Sequence, residues 1–499
     1  MKFADWMRDQ DVAGAFGPPP GEAQVQHVTC DSREVRPGWA FAALRGERSD
    51  GAEYVPAALA AGAAAILGDR ELALPAGVPF ARLGDGRRTL ALLARKLYGE
   101  PDRALALIGV TGTNGKTTTT TLVRQLLRLS GRGCGLLGGV VNAAGAREER
   151  AQLTTPESPV FYRWLRASAD AGDQAAAAEV SSHSLVAGRV HGARFKVGLF
   201  TNLTQDHLDF HLDMESYFQA KRRLFAQCDL GLANGDDPYG QRLLEQGGFR
   251  SYALERPADY RITGLELSPT GTRFRLTAPA GAWEVRSPLL GRFNAYNLLA
   301  ALAALAEAGF ELEPLVAAVA GVTGAPGRLD RVDCGQAFGV LVDYAHTPDA
   351  LDKLLTEGKR LLPPGGRLHV LFGCGGSRDR TKRPIMARAV AAGADVIWHT
   401  SDNTRWEEPE PILDDGAAGI PEAVRRDPER YHRIADRALA VAAAVADCRP
   451  GDLLLLAGKG HEPYQDVMGV KHPYSDRAAV EAALQGRPIP RPWAQEAAR

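Results

Sequence analysis

Short apolar runs of four to seven residues, each followed by a helical pattern, recur along the chain and restrict its architecture more than any other feature. Ala104 to Val110, Lys196 to Phe200, Phe338 to Val342, Leu368 to Phe372, Asp395 to Trp398 and Leu453 to Leu456 are the clearest. Strands apolar on both faces are buried on both, so the pattern predicts parallel sheets covered by helices, an α/β fold. The alanine-rich stretches Ala57 to Ala65 and Ala438 to Ala446 read as helices. At ~150 residues per domain, 499 residues suggest three domains. Helix breakers cluster at Gly99-Glu100-Pro101-Asp102 and from Gly321 to Gly327, which places the domains at 1–102, 103–325 and 326–499.

The last third is sharply punctuated. Pro348 opens a helix after Asp343-Tyr344-Ala345-His346-Thr347, Pro363-Pro364-Gly365-Gly366 ends it, Pro384 fits a first turn and Gly393 a helix end. Such an open sheet carries its ligand loops at the carboxyl ends of its strands. With 59 Lys+Arg against 60 Asp+Glu, the chain has no basic excess to attract nucleic acid. No apolar run approaches the ~18–20 residues of a membrane helix. The charged start Met1-Lys2-Phe3-Ala4-Asp5-Trp6 does not resemble a secretory leader. Six scattered cysteines without a Cys-x-x-Cys fit a reducing cytosol.

The strongest local signal is Gly109-Val110-Thr111-Gly112-Thr113-Asn114-Gly115-Lys116-Thr117-Thr118, between an expected strand and an expected helix. Glycines let backbone N–H groups turn toward phosphate oxygens, and the helix N-terminus adds partial positive charge. Lys116 can neutralise the β- and γ-phosphates, and the Thr117 hydroxyl can ligate Mg²⁺. The spacing departs from the usual phosphate loop, with Val110 where a glycine belongs. Five threonines, Thr117 to Thr121, open the helix against propensity, as though hydroxyls were wanted there. Ala176-Ala177-Ala178-Glu179 reads as a strand delivering a carboxylate to its tip, suited to Mg²⁺ beside a nucleotide. Taken alone it reads equally as a helix-surface Glu. Thr201 to His211 gathers two His and two Asp after a strand; alone it reads as a polar loop.

Together these segments resemble the Mur ligase superfamily, which includes the peptidoglycan-precursor ligases and folylpolyglutamate synthase. Thr111 to Thr118, Glu179-Val180-Ser181-Ser182-His183, Thr201 to Asp209, Asn294-Ala295-Tyr296-Asn297, Gly327-Arg328-Leu329-Asp330 and Asp343 to Pro348 stand in that family's order. The resemblance covers nearly the whole chain. It implies a central P-loop ATPase-like parallel-sheet domain, a Rossmann-like C-terminal domain and a smaller N-terminal α/β domain. Cys30-Asp31-Ser32-Arg33, Leu153-Thr154-Thr155-Pro156, Gly373 to Asp379, Ser401 to Arg405 and Gly458-Lys459-Gly460-His461-Glu462 are most similar to its E-type branch. That branch adds a diamino acid to UDP-N-acetylmuramoyl-L-alanyl-D-glutamate. The loop at Gly373 lacks the third glycine of a dinucleotide fingerprint, which argues against NAD.

The resemblance implies ATP cleavage to ADP, an acyl phosphate on the D-glutamyl γ-carboxylate, and attack by an amine. It gives Lys116, Glu179, His207, Lys221 and Arg328 to catalysis. ATP falls to Gly112, Thr113, Asn114, Gly115, Lys116, Thr117, Thr118, Asn297, Arg328 and Asp343. One Mg²⁺ falls to Thr117 and Glu179 and a second to His207, while Lys221 matches a lysine that the family carbamylates into an anionic Mg²⁺ ligand; read blindly, Lys221 is a surface lysine beside Arg222 and Arg223. Asn297 also reads as a helix-start residue. Cys30, Ser32, Glu47, Arg48 and Ser49 would hold the uridine diphosphate end, and Thr154, Thr155, Ser181 and Arg189 the muramoyl-peptide end.

For the incoming amino acid the resemblance implies Arg378, Asp402, Asn403, Thr404, Arg405, Gly458 and Glu462. Arg405 and Arg378 could clamp a distal carboxylate, and Asp402 and Glu462 could accept from the ammonium beside it. This favours meso-diaminopimelate, with Thr404 standing where the family signature has Pro; L-lysine and L-ornithine are the alternatives. A folate ligase or a nucleotide-dependent switch protein fits the motifs less well. The expected partners are ATP, the UDP-linked dipeptide and the diamino acid, with neither nucleic acid nor membrane. A cytoplasmic monomer is favoured.

Overall fold

A computed structural model of the chain describes residues 1–16, 23–46, 49–268 and 270–491. It forms two compact units, Met1–Leu265 with Arg273–Ser287 and Phe293–Val322, and Glu266–Thr272 with Pro288–Arg292 and Thr323–Arg499.

The first unit contains two sheets. A five-stranded sheet runs Val12–Phe16, Phe80–Leu83, Ala65–Gly68, Trp39–Ala43, His27–Thr29, parallel except at its first pair. An eleven-stranded sheet has Ala106–Thr111 at its centre, flanked in parallel by Ala175–Glu179 and Phe195–Phe200. The register pairs Glu179 with Val110 and Phe200 with Thr111, so three strands end side by side. All five residues of Ala175–Glu179 are buried, which explains its small side chains: helices press on both faces of a central strand.

The two sheets share one apolar core. Leu90, Leu93 and Ala94 of helix Gly86–Leu97 join Phe161 and Leu165 of helix Ser158–Asp170, together with Leu107 and Ala176. Each such Leu or Phe contributes about 1.5–3 kcal/mol by leaving water. The turn after Gly99 is pinned as well. Asp102 is buried, accepts from Arg95 Nε at 2.9 and 3.0 Å, and accepts from the Arg194 N–H at 3.0 Å.

The second unit holds a six-stranded sheet in the order Asp330–Arg331, Gly339–Asp343, Leu453–Ala457, Leu368–Cys374, Val396–Ser401, Tyr431–Arg433. Only the first pair is antiparallel. Leu453–Ala457 comes last of the parallel strands in the chain yet lies between the first two. The strand order therefore reverses there, where open α/β sheets form a crevice beyond the carboxyl ends. Pro348 and Gly393 open and close their helices as expected, Pro348–Leu361 and Lys382–Gly393.

One helix expectation is corrected. The run Ala57 to Ala65 is helical only within Val55–Ala60, and Ala65 begins strand Ala65–Gly68. Alanine fits a crowded strand as well as a helix, so the run does not mark its own boundary.

Candidate functional site

The phosphate loop crosses from strand Ala106–Thr111 to helix Lys116–Leu129. Gly112 has φ +142° and Gly115, the residue before the helix, φ +88°. A Cβ on Gly112 would stand 1.9 Å from Thr201 Oγ1, so only glycine fits there. The loop is laced to the segment after strand Phe195–Phe200. The Thr113 N–H donates to the Asn202 carbonyl at 2.8 Å, the Asn114 N–H to Asn202 Oδ1 at 3.0 Å, and the Thr201 hydroxyl to the Asn114 carbonyl at 2.6 Å. Thr201 and Asn202 thus shape the loop, a role that the polar-loop reading missed.

The threonine run has its reason in these contacts. The Thr117 hydroxyl donates to Glu179 Oε2 at 3.0 Å, and Thr120 donates back to the Lys116 carbonyl at 3.0 Å. The Thr119 hydroxyl lies 3.4 Å from Asn297 Oδ1. Asn297 is buried within helix Arg292–Glu307, well past its start, which overturns the helix-start reading. Glu179 ends its strand as expected rather than lying on a helix surface, and its Oε1 accepts from the Gly139 N–H at 2.7 Å.

Lys116 and Lys221 meet at one atom. Both ammonium groups donate to the Gly112 carbonyl, at 2.8 and 2.7 Å. Lys221 is 1% exposed, which corrects its reading as a surface lysine. In helix Met214–Arg222 it shares the buried set with Tyr217, Phe218 and Ala220, while Arg222 and Arg223 point outward. Burial, and then the neighbouring Lys116 charge, push the Lys221 amine well below the ordinary lysine range, with Asp206 opposing. His207 has φ +52° and precedes helix Leu208–His211, its Nε2 3.4 Å from Asp206 Oδ2. Its ring is 4.8 Å from that of His183.

Thr155, Ser181 and Arg189 gather at the same strand end. The buried Thr155 hydroxyl donates to the Glu179 carbonyl at 2.9 Å and accepts from the Ser181 N–H at 3.0 Å. Arg189 donates to the Thr155 carbonyl at 3.1 Å and pairs with Glu157 at 3.0 Å. Thr154 is exposed, close to Gly139. Cys30, Ser32 and Ser49 line a cavity of about 680 Å³ in the first unit, with Arg33, Asn142 and Trp164, and its wall reaches Leu153, Pro156 and the Glu157 that pairs with Arg189. Burial pushes the Cys30 thiol up to about 12, so it lines the cavity as a neutral group. Glu47 and Arg48 lie outside the described residues.

In the second unit, Asp343 ends its strand and accepts from the N–H groups of Leu329 and Ala345, each at 2.8 Å. The Arg328 guanidinium lies 4.8 Å from the centre of the Tyr344 ring. Asp402 and Asn403 follow strand Val396–Ser401, and Gly458 follows strand Leu453–Ala457. Asn403 Nδ2 donates to Glu462 Oε2 at 2.8 Å. Arg405, at φ +52°, donates to the Gly376 carbonyl at 2.8 Å. Arg378 lies near that loop, its Cγ 3.8 Å from where a Gly375 Cβ would be. Thr404 is fully buried and its hydroxyl has no hydrogen-bond partner. Beneath these loops, the buried Arg437 holds Asp476 at 2.7 Å and donates to the Ser401 and Ala457 carbonyls at 3.3 and 3.0 Å. Nothing in the sequence motifs singles out that pair.

Family models match most of the chain: the Mur ligase catalytic domain over residues 24–98, the middle domain over 110–305, and the glutamate ligase domain over 327–460. The chain is 43% identical over 480 residues to a UDP-N-acetylmuramoyl-L-alanyl-D-glutamate–2,6-diaminopimelate ligase of Streptomyces coelicolor, covering 94% of each. The chain belongs to the Mur ligase family. A Parasynechococcus marenigrum relative of the same description is 45% identical over 485 residues, covering 93% of this chain and 96% of that one. A solved structure bearing that description superposes with a TM-score of 0.69 at 34% identity, covering 97% of this chain and 99% of that one. A MurF ligase of Thermotoga maritima, at TM-score 0.64 and 18% identity over 93% of this chain and 97% of that one, shares the fold. As a Mur ligase the chain is a three-domain α/β protein, which agrees with its alternating sequence pattern. Among the described residues no helix is long and apolar enough to cross a membrane.

Proposed function

We propose that this Mur ligase joins meso-diaminopimelate to the D-glutamyl γ-carboxylate of UDP-N-acetylmuramoyl-L-alanyl-D-glutamate, cleaving ATP to ADP and phosphate. One observation carries the reading: 41–45% identity, over more than nine-tenths of the chain, to relatives described as ligases of that substrate and that amino acid. The two residue clusters suit the two halves of the chemistry. Residues 103–325 would bind the nucleotide, 1–102 the UDP end through the cavity at Cys30, Ser32 and Ser49, and 326–499 the amino acid. Consumption of ATP and a UDP-linked sugar suits a cytoplasmic enzyme of cell-wall precursor synthesis.

A carboxylate resists attack by an amine because its oxygen leaves poorly. Transfer of the γ-phosphoryl group onto that oxygen, with release of ADP, gives an acyl phosphate. The amine then bonds to the acyl carbon, loses a proton and expels phosphate. Phosphoryl transfer depends on positioning and charge neutralisation. Lys116, which holds loop carbonyls, would turn to the β- and γ-phosphates, while the Gly112 to Gly115 backbone cradles them. Arg328, with Asp343 and Asn297, would complete the ATP contacts. The Thr117 hydroxyl and Glu179 carboxylate, 3.0 Å apart, are hard oxygen donors of the kind Mg²⁺ takes. His207 would help hold a second Mg²⁺, and Lys221 would become an anionic ligand once its neutral amine had added CO₂ and lost a proton; bound there, the ions would neutralise phosphate charge. Thr154, Thr155, Ser181 and Arg189 would hold the dipeptide, and Arg405 with Arg378 the distal carboxylate of diaminopimelate.

Product mass with diaminopimelate, L-lysine and L-ornithine competing tests this. The expected product is the diaminopimelate adduct with stoichiometric ADP. A lysine or ornithine adduct would refute the acceptor assignment, and ATP turnover indifferent to both acceptors would refute the ligase.

A further inference from the structure

Lys459 is the least expected side chain in the second unit. It is completely buried, yet it lies in a loop rich in glycine, one residue past the end of a strand and its flanking Gly458. Its ammonium has three protons and three acceptors: Asn403 Oδ1 at 3.0 Å, Glu462 Oε2 at 3.1 Å and Asp402 Oδ1 at 3.4 Å. Asn403 is held from both sides, since its Oδ1 also accepts from the Asp466 N–H at 2.9 Å while its Nδ2 donates to Glu462 Oε2 at 2.8 Å. The amide therefore has one orientation.

The pattern occupies one oxygen of each carboxylate and leaves the other. Glu462 Oε2 takes both the Lys459 and Asn403 donors, so Oε1 remains for an outside donor. Asp402 Oδ1 takes the Asn403 N–H at 2.6 Å and Lys459, so Oδ2 remains. Oδ2 points to where Gly458, at φ +111°, carries no side chain; a Cβ there would stand 2.7 Å away. Two carboxylates held in one space repel each other, and the Lys459 ammonium between them offsets that repulsion. With Lys459 between them the cluster carries one net negative charge.

We infer that Lys459 is a positioning residue for the acceptor: it locks Asp402, Asn403 and Glu462 into one cluster whose two remaining carboxylate oxygens bind a single substrate ammonium. The inference rests on the reading of this crevice as the amino-acid site. It assigns Lys459 no contact with the reacting atoms, and it explains how two acids and an amide from segments 59 residues apart act as one recognition element. A second free cation has no place there, whereas an amino-acid end, with its ammonium on the acids and its carboxylate on Arg405, leaves no charge uncompensated.

The test is steady-state kinetics of full-length Lys459→Met and Lys459→Gln, with diaminopimelate, ATP and the UDP-linked dipeptide each varied in turn. The second variant keeps an amide donor, and so a hydrogen bond, without the charge. The acceptor KM is expected to rise about tenfold or more while the ATP KM stays within about twofold. Diaminopimelate should also lose its protection of the variants against thermal unfolding, while ATP keeps its own. An unchanged acceptor KM, a fall confined to kcat, or failure of both variants to fold would overturn the inference, the last by reducing Lys459 to a fold residue. Wild-type enzyme that releases no phosphate in response to diaminopimelate would instead sink the acceptor-site reading on which it rests.

Discussion

Substitution of Lys221 by Met separates what that amine does for the fold from what it does for the reaction. The side chain is 1% exposed, its Nζ lies 4.5 Å from the centre of the Tyr217 ring, and its hydrogen-bond acceptor, the Gly112 carbonyl, is already served by Lys116 at 2.8 Å. An ammonium there is dehydrated and faces a like charge, which is why its titration is pushed down. An unfolded lysine titrates near 10.4. Between the lowered folded value and that point the unfolded chain binds more protons, so this group's contribution to stability rises with pH. The contribution is complete above the unfolded value and is lost as pH falls toward the folded one. Met matches the stem, removes the charge and leaves no carbonyl orphaned. Replacing even a buried ion pair by packed apolar residues is often neutral or stabilises by about 1–4 kcal/mol, and Lys221, held by a carbonyl and facing a like charge, has less attraction to lose.

Denaturant unfolding of Lys221→Met and wild type in CO₂-stripped buffer should therefore favour the variant at pH 7, with the gap closing toward pH 10. Ligase activity of the variant should fall about 10²–10³-fold, the loss expected when a preorganised charged group leaves a phosphoryl-transfer site. Bicarbonate should stabilise and activate the wild type alone, because carbamylation turns the neutral amine beside Lys116 into an anion that serves as its counterion. A variant less stable than wild type at pH 7 without CO₂ would refute the electrostatic account. Equal bicarbonate effects on both proteins would refute carbamylation at this residue.

Gly112→Ala should abolish nucleotide-induced thermal stabilisation, since the methyl would stand 1.9 Å from Thr201 Oγ1 at a φ of +142°; isothermal titration with ATP checks it, and undiminished affinity would contradict the cradle. Strain of this kind costs about 1–3 kcal/mol, so the variant should still fold. His399 is buried, stacked on Phe372 at 4.7 Å, and held down to about 3 by burial, with Arg433 adding and Asp414 opposing. Its stability contribution is complete above the unfolded value near 6.5 and is lost as pH falls toward 3. The loss reaches about 3 kcal/mol at pH 4. His399→Phe should flatten the acid limb of an unfolding-versus-pH curve, and an unchanged limb would contradict the assignment.

What was legible in the sequence depended on whether a function sits in one segment. The phosphate loop, Glu179 at a strand tip and the proline-marked helices are local, so residue type and spacing reveal them. The scaffolding by Thr201 and Asn202 was not legible, because its bonds reach back about 90 residues to backbone atoms that any sequence possesses. The Arg437–Asp476 pair, 39 residues apart, was hidden for the same reason. Thr404 shows the limit from the other side. Its substitution for the proline of the family's signature is visible at once, but a fully buried hydroxyl without a partner becomes apparent only in three dimensions. Such an atom costs about 1–3 kcal/mol, more than a local preference would disclose.

The two buried lysines make the point sharper. Lys221 is followed by two arginines and Lys459 sits between two glycines, and neither setting announces burial. Their surroundings are nonetheless opposite in kind. Lys221 has a carbonyl for an acceptor and Lys116 for a neighbour, with Asp206 acting only against those two effects, so its surroundings favour the neutral amine that can react with CO₂. Lys459 has two carboxylates and an amide oxygen, which satisfy all three protons and leave it an ion-pair partner rather than a nucleophile. The same residue type, equally removed from water, is thus suited to covalent modification in one unit and to holding a recognition cluster in the other. The difference lies in the partners that the fold brings from distant segments: Gly112, 109 residues from Lys221, and Asp402, 57 residues from Lys459.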